Sequence, residues 1–156
     1  GMDSLSGPVA VAPTDPRILP LIARHLELMR ASSPACSVHA MEAEDLDRVG
    51  ARFFGIFDGD SAVAMGALKV LTEDHGELKS MHVVAECRGQ GLADRMLMCL
   101  LEEARAGGLT RVSLETGSQE AFAPARAFYG RSGFTTCGPF ADYGPDPNSF
   151  FMTKRL

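Results

Sequence analysis

The stretch Arg88-Gly89-Gln90-Gly91-Leu92-Ala93 joins a predicted strand over 77–84 to the longest predicted helix, over 92–105. Its two glycines allow a tight turn in which successive backbone N–H groups point into one concavity. The helix starts at once, so its unpaired N–H groups and the positive end of its dipole face the same point. The stretch therefore predicts a site for a diphosphate, to which Arg88 adds a charge-assisted contact.

The glycines alone leave a second interpretation open, since a plain strand-to-helix turn would use them equally well. The loop lacks the GxxxxGK[ST] pattern of a P-loop. It also differs from the GxGxxG dinucleotide-binding loop, because Asp94 stands where the third glycine would be. Both of these nucleotide-binding classes are therefore excluded.

The chain before the loop predicts hairpins. Asp58-Gly59-Asp60 is a strong hairpin signal between two apolar runs. The predicted strands here are 9–12, 52–57, 62–71 and 77–84. An amphipathic helix, capped by Asp15 with Pro16 at its first position, extends to about Ala31. A further helical turn is predicted in the acidic patch 42–47.

The chain after the loop alternates between helices and strands. The predicted elements are a helix over 92–105, a strand over 111–115, a helix over 122–131 and strands over 134–137 and 150–153. The order predicts an α/β (α+β) fold, with a mixed, mostly antiparallel central sheet of about six to seven strands and helices on both faces. We expect a single domain over 2–156, with Gly1 before Met2 as a tag-cleavage scar.

The composition of the chain argues against several classes of binding partner. The 15 basic and 20 acidic residues give a net charge of −5, which argues against binding nucleic acid through a basic face. The four cysteines have no metal-site spacing, so we expect reduced thiols and no metal. We also expect a cytoplasmic protein without a membrane partner, because the sequence contains neither a signal peptide nor a long apolar span.

Two motifs carry a family resemblance. The segment 78–93 has the pattern Leu-x-x-Met-x-Val followed by Arg-x-x-Gly-x-Ala, which resembles the coenzyme A signature of the GNAT N-acetyltransferase superfamily. The segment 125–134, Ala-x-x-Phe-Tyr-x-x-x-Gly-Phe, looks like the later tyrosine helix of that superfamily. A narrower likeness to a group of small bacterial GNAT proteins lies in the segments 77–81, 114–117, 122–125 and 139–143. The resemblance covers roughly residue 9 to the end.

The resemblance implies acetyl-CoA, or coenzyme A, as the cofactor. In GNAT enzymes the backbone of the strand before the loop pairs with the pantetheine arm, and an N–H near Met81 or His82 would polarise the thioester. The implied cofactor-binding residues are Met81, His82, Val83, Arg88, Gly89, Gln90, Gly91, Leu92, Ala93 and Phe128. One departure from the family pattern is Phe122, which stands where many members have an asparagine. The contact of that asparagine with the cofactor is therefore not expected in this chain.

The resemblance also implies catalytic residues, Tyr129 and Glu77. The position of Tyr129 matches the family's general acid, although helical spacing alone favours a core tyrosine. Glu77 would act as a base, directly or through water, or would be a solvated carboxylate beside a turn. His82 and Glu115 stay open as other bases; strand alternation places His82 with Leu78 and Ser80, which favours a packed, partly buried ring.

The expected reaction moves an acetyl group from acetyl-CoA to a primary amine of a small molecule or peptide, by direct attack in a ternary complex. Six acidic side chains lie near the expected acceptor site: Glu42, Glu44, Asp45, Asp47, Asp142 and Asp146. They would favour a cationic amine as the acceptor. The alternative is that they are ordinary solvated charges. The alternatives are a non-catalytic acyl-CoA-binding sensor or partner domain, and a structural domain without cofactor. A homodimer is an option that the resemblance leaves open.

Overall fold

The computed structural model describes residues 5–156, and the predictions for Gly1 and Met2 lie outside them. The strands are β1 (Val9–Ala10), β2 (Arg52–Asp58), β3 (Ser61–Val70), β4 (His75–Val83), β5 (Arg111–Gly117), β6 (Thr135–Cys137) and β7 (Ser149–Arg155). The helices are α1 (Leu19–Ser32), α2 (Ala43–Arg48), α3 (Leu92–Ala106) and α4 (Ala123–Arg131).

All seven strands form one sheet, in the order β1-β2-β3-β4-β5-β7-β6. Neighbouring strands are antiparallel except β4 and β5, which are parallel. The parallel pair follows from the connection, because α3 crosses over between the two strands. The predicted mixed, mostly antiparallel sheet is confirmed.

Helices α1 and α3 cover opposite faces of the sheet. A Cβ built on Gly66 would lie 2.8 Å from Leu100 of α3. A Cβ on Gly55 would lie 2.9 Å from Ile18, next to α1, and Gly55 pairs with Met65. Since successive residues of a strand point to opposite faces, these contacts separate the two helices. Helices on both faces were predicted.

The first helix starts later than predicted. Asp15 caps a turn rather than the helix: its Oδ1 accepts a hydrogen bond from the Arg17 backbone N–H at 2.9 Å, and α1 begins at Leu19 with a proline in its first turn. Within residues 5–156, no helix combines the length and the apolar character that crossing a membrane would require.

Candidate active site

A cavity opens where β4 and β5 part. The two strands pair only over their first four residues, as far as Leu78 opposite Leu114, although β4 continues to Val83 and β5 to Gly117. Between these free ends lies a cavity of about 460 Å³, lined by residues of both strands, α1 and α4. The strand edges that face this space have no partner strand there, so an extended ligand arm can lie between them and form sheet-like hydrogen bonds.

Strand β4 carries an extra residue in the same stretch. Met65 lies opposite His82 and Ala67 opposite Lys79, so two steps on β3 match three on β4. Ser80 has a φ of +59°, and the extra residue forms a β-bulge. Met65 and Ala67 point to one face of the sheet, so His82 and Lys79 share that face as well.

The bulge changes where His82 lies. The prediction that His82 shares a face with Leu78 and Ser80 is wrong, because simple alternation fails across a bulge. The predicted partial burial of His82 is confirmed. His82 lines the cavity, and its Nδ1 lies 3.0 Å from Nδ1 of His25 on α1.

The glycine loop borders a second, smaller depression of about 160 Å³ beside the first. Gly89 and Gly91 have φ values of +81° and +78°, a conformation that side chains with a Cβ rarely adopt. Helix α3 starts at Leu92, directly after Gly91. The predicted loop residues Arg88, Gly89, Gly91, Leu92 and Ala93 line this depression, and so does Phe128.

Two of the predicted cofactor-binding residues in the loop do not present their side chains to a ligand. The side chain of Gln90 is exposed and lines neither cavity among the described residues. Leu92 is buried in the core, so it can offer a ligand its backbone only. A contact of either residue with a phosphate would therefore have to come from its main chain, and both contacts stay predictions.

Arg131 is a site residue that sequence reasoning missed. It lines both cavities, and its guanidinium carbon lies 5.4 Å from the ring centroid of Phe128. The signal was available, because Arg131 follows Phe128 by three residues and so lies on the same face of α4. It brings a second cation to the depression that Arg88 also lines.

Tyr129 lies at the wall of the larger cavity, on α4. Its side chain is 7% exposed and packs against the rings of Phe128 and Phe134, with centroids 5.1 and 5.6 Å away. Burial raises the pKa of Tyr129 above its usual range. The phenol therefore stays protonated at neutral pH and can donate its proton.

Glu77 also lines the cavity, but it is not the solvated carboxylate that was considered. It is only 2% exposed, and its Oε2 accepts a hydrogen bond from the Tyr143 hydroxyl. Lys79 Nζ lies 3.3 Å from the same oxygen and donates to the Tyr143 hydroxyl at 3.0 Å. Lys79 also donates to the backbone oxygen of His39 at 3.4 Å, so these groups form one buried network.

Glu115 lies on the same face as Glu77, because Glu77 registers with Ser113, two residues earlier on β5. It lines the cavity. Burial, the main cause, raises the pKa of Glu115 to about 7. Among residues 5–156 it has no ion-pair partner within 4.0 Å, although the Ser149 side chain is near enough to oppose the effect of burial on its pKa.

The acidic side chains expected around the acceptor do not reach this cavity. None of the six lines it in the described part of the chain. Glu42 and Asp45 form exposed ion pairs with Arg30 and Arg48, and Asp146 accepts a hydrogen bond from Ser37 at 2.6 Å. The carboxyl groups inside the cavity are instead those of Glu77 and Glu115.

Sequence comparison identifies the family. A family model described as Acetyltransferase (GNAT) family matches residues 22–134. This chain belongs to the GNAT acetyltransferase family. The uncharacterized N-acetyltransferase YsnE of Bacillus subtilis is 45% identical over 92% of this chain and 95% of its own length. The uncharacterized N-acetyltransferase YedL of Escherichia coli is 38% identical over 92% and 90%.

Solved structures agree with this GNAT assignment. A Klebsiella pneumoniae protein assigned as an acyl-CoA N-acyltransferase superposes with a TM-score of 0.77 at 31% identity, over 96% of each chain. The protein is therefore an N-acetyltransferase that depends on acetyl-CoA, as its sequence motifs predicted. An amine is the acceptor class that this activity implies.

Proposed function

We propose that this GNAT enzyme acetylates a primary amine of a small molecule or peptide by direct attack within a ternary complex. The observation that carries the proposal is the wall that the two cavities share. Val83, Arg88, Ala93, Phe128 and Arg131 line both of them. A cofactor that binds the loop at one end can therefore reach the carboxyl groups at the other, where a second substrate fits.

The cofactor would lie along the free end of β4. The diphosphate would bind the backbone N–H groups of 89–93 at the start of α3, with Arg88 and Arg131 adding positive charge. The pantetheine arm would pair with the backbone of 81–83, where β4 has left β5. Phe128, on the wall shared by the two cavities, would pack against the arm.

Tyr129 would act as the general acid. The backbone N–H of Met81 or His82 would polarise the thioester oxygen, a contact worth about 3–4 kcal/mol in other enzymes. The amine nitrogen bonds to the acetyl carbon and loses a proton to a base, the carbon–sulfur bond breaks, and the Tyr129 hydroxyl donates its proton to the leaving thiolate. The proton taken from the amine then restores Tyr129. A tyrosine hydroxyl carries its proton at neutral pH, as this role requires, and Tyr129 lines the cavity in which the thioester would lie.

The carboxyl groups would serve the amine. Glu77 was predicted as the base, and its location in the cavity supports a role near the acceptor. Its ion pair with Lys79 and its bond from Tyr143 suit a residue that fixes this wall. Glu115, which has no such pair among residues 5–156, is the carboxyl group better placed to bind the ammonium of the acceptor.

The test is formation of coenzyme A from acetyl-CoA with a panel of amino acids, polyamines, aminoglycosides and peptides, followed by chromatography. Chromatography avoids interference from the four protein thiols. We expect turnover with one amine class and a fall in kcat of about 10²-fold or more in Tyr129→Phe. Tyr143→Phe is the matched control, since it removes the other phenolic hydroxyl of the chain and should reduce kcat far less.

Two outcomes would count against the proposal. A Tyr129→Phe enzyme with kcat within threefold of wild type would remove the acid role from Tyr129. Binding of coenzyme A by the wild type without turnover of any amine would favour the alternative of a non-catalytic acyl-CoA sensor.

A further inference from the structure

Two histidines meet at the wall of the larger cavity. His25 on α1 and His82 on β4 have their Nδ1 atoms 3.0 Å apart and their rings nearly perpendicular, at 85°. In a hydrogen bond between two ring nitrogens, one carries the proton and the other accepts it. The two rings therefore share one proton between their Nδ1 atoms. The other nitrogen of each ring, Nε2, takes no part in this contact.

The surroundings keep both rings neutral at neutral pH. Burial is the main cause that lowers the pKa of His25, to about 4, and that of His82. The charged groups that act on the pair are also cations: Arg24 from α1, Lys79 from β4 and Arg88 from the glycine loop. From β3, the residue opposite His82 is the uncharged Met65.

This geometry suits the uptake of one proton. When His82 Nδ1–H donates to His25 Nδ1, the Nε2 of His82 has a free lone pair. A proton added there leaves the bond between the rings intact and makes it charge-assisted. A second proton, on His25 Nδ1, would break the bond, because two donors would then face each other.

The position of His82 fits the reaction better than that of Glu77. His82 lines the cavity within the free end of β4, between Met81 and Val83, where the proposed function places the pantetheine arm. Glu77 lies five residues earlier, roughly 15 Å along an extended strand. Its carboxylate is also already occupied by Lys79 and Tyr143.

We propose that His82, positioned by His25, accepts the proton that the acceptor amine loses when its nitrogen attacks the thioester. The nitrogen–carbon bond forms, the carbon–sulfur bond breaks, and the amine proton moves to His82 Nε2 while Tyr129 protonates the sulfur. Transfer of one proton through solvent from His82 to Tyr129 restores both residues. His25 is a positioning residue, because it acts only through His82. The inference rests on the proposed function.

The test combines pH–rate profiles with calorimetric titration of coenzyme A. In the wild type, kcat/KM should fall at acid pH, with a midpoint below that of an ordinary histidine, because His82 must be neutral to accept a proton and burial lowers its pKa. His82→Gln should lower kcat at least about 10²-fold and abolish this acidic limb. It should leave the Kd of coenzyme A within about threefold, since the backbone carries the cofactor contacts.

His25 is tested with a matched pair of variants. His25→Asn keeps an acceptor near the position of Nδ1 and should retain most of kcat and the acidic limb. His25→Leu removes the acceptor and should lower kcat about tenfold and displace the limb. A purely structural role for His25 would instead lower the melting temperature of both variants without moving the limb, and would overturn the positioning role.

Other results would contradict the proposal. An acidic limb that persists in His82→Gln and disappears in Glu77→Gln or Glu115→Gln would assign the proton to a carboxylate. A His82→Gln enzyme with kcat within threefold of wild type would also overturn it. If the wild type fails to bind coenzyme A, the proposed function fails first, and the inference fails with it.

Discussion

The two ends of the β4–β5 pair differ in whether their acidic side chains have ion-pair partners. At the closed end, where the strands are hydrogen-bonded, Glu77 is satisfied by Lys79 and Tyr143 in one buried network. At the open end, where they part, Glu115 has no ion pair among the described residues and His82 bonds only to another neutral ring. Groups that are already paired hold the fold together, whereas available groups can serve a ligand.

The difference follows from backbone pairing. Parallel pairing ends at Leu78 and Leu114, and the bulge at Ser80 then turns His82 and Lys79 to the same face. Beyond that point, Glu115 and His82 line a cavity instead of a continuous pair of strands. We expect substitutions at the closed end to change the stability of the fold. Substitutions at the open end should change function, or should remove the energetic cost of burying a charged group that has no ion pair.

The largest effect is expected at the closed end. Lys79→Met would leave the Glu77 carboxylate buried without its ion pair, which should lower the free energy of unfolding by about 3–5 kcal/mol. Urea denaturation measures this change. The control is the double variant Glu77→Gln/Lys79→Met, which removes both charges and should lose less than half as much. Equal, small losses in both proteins would show that the pair does not stabilise the fold.

At the open end, a substitution should raise the free energy of unfolding instead of lowering it. The pKa of Glu115 is raised to about 7 in the folded protein, above the usual 4.5 or so of the unfolded chain. Stability from the protonated form is therefore complete below about pH 4.5 and is lost as pH rises through 7. After allowance for solvent screening, Glu115→Gln should gain about 1–2 kcal/mol at pH 8 relative to wild type, and nothing at pH 4.5.

Urea midpoints at the two pH values test this expectation. Exposed Glu120, on the turn that follows β5, offers the control Glu120→Gln, which should stay within about 0.5 kcal/mol of wild type at both. A gain for Glu115→Gln that is the same at pH 4.5 and pH 8 would contradict the raised pKa.

The smallest effect concerns the glycine loop. A Cβ at Gly91 would meet no atom within 4 Å, but the φ of +78° is strained for any other residue. Gly91→Ala should therefore cost about 1 kcal/mol of stability through the backbone alone. Gly130→Ala in α4 is the control, because it has equally open space without the positive φ and should stabilise by about 0.5–1 kcal/mol. A neutral Gly91→Ala would argue against a strained loop.

The sequence predicted the elements well, because their signals are local. The glycine loop, the Asp58-Gly59-Asp60 hairpin and the helix 92–105 depend on neighbouring residues alone, and the structure has all three. The bulge at Ser80 has no such signal, so alternation placed His82 on the wrong face.

The contacts of the site depend on long-range pairs, which a single sequence does not encode visibly. Glu77 and Tyr143 are 66 residues apart, and His25 and His82 are 57 apart. The burial of Glu77 and the histidine pair therefore became visible only in the folded chain. The roles of Tyr129 and Glu77 in the reaction stay predictions until they are measured.

The central claim is that the open end of the β4–β5 pair holds the acyl-CoA arm. A crystal structure of the protein with coenzyme A bound tests it most directly. We predict the pantetheine arm between the backbones of 79–83 and 115–117, the diphosphate on the N–H groups of 89–93, and the sulfur near Tyr129 and His82. Coenzyme A bound outside this cavity, or β4 and β5 paired along their whole length around it, would contradict the account.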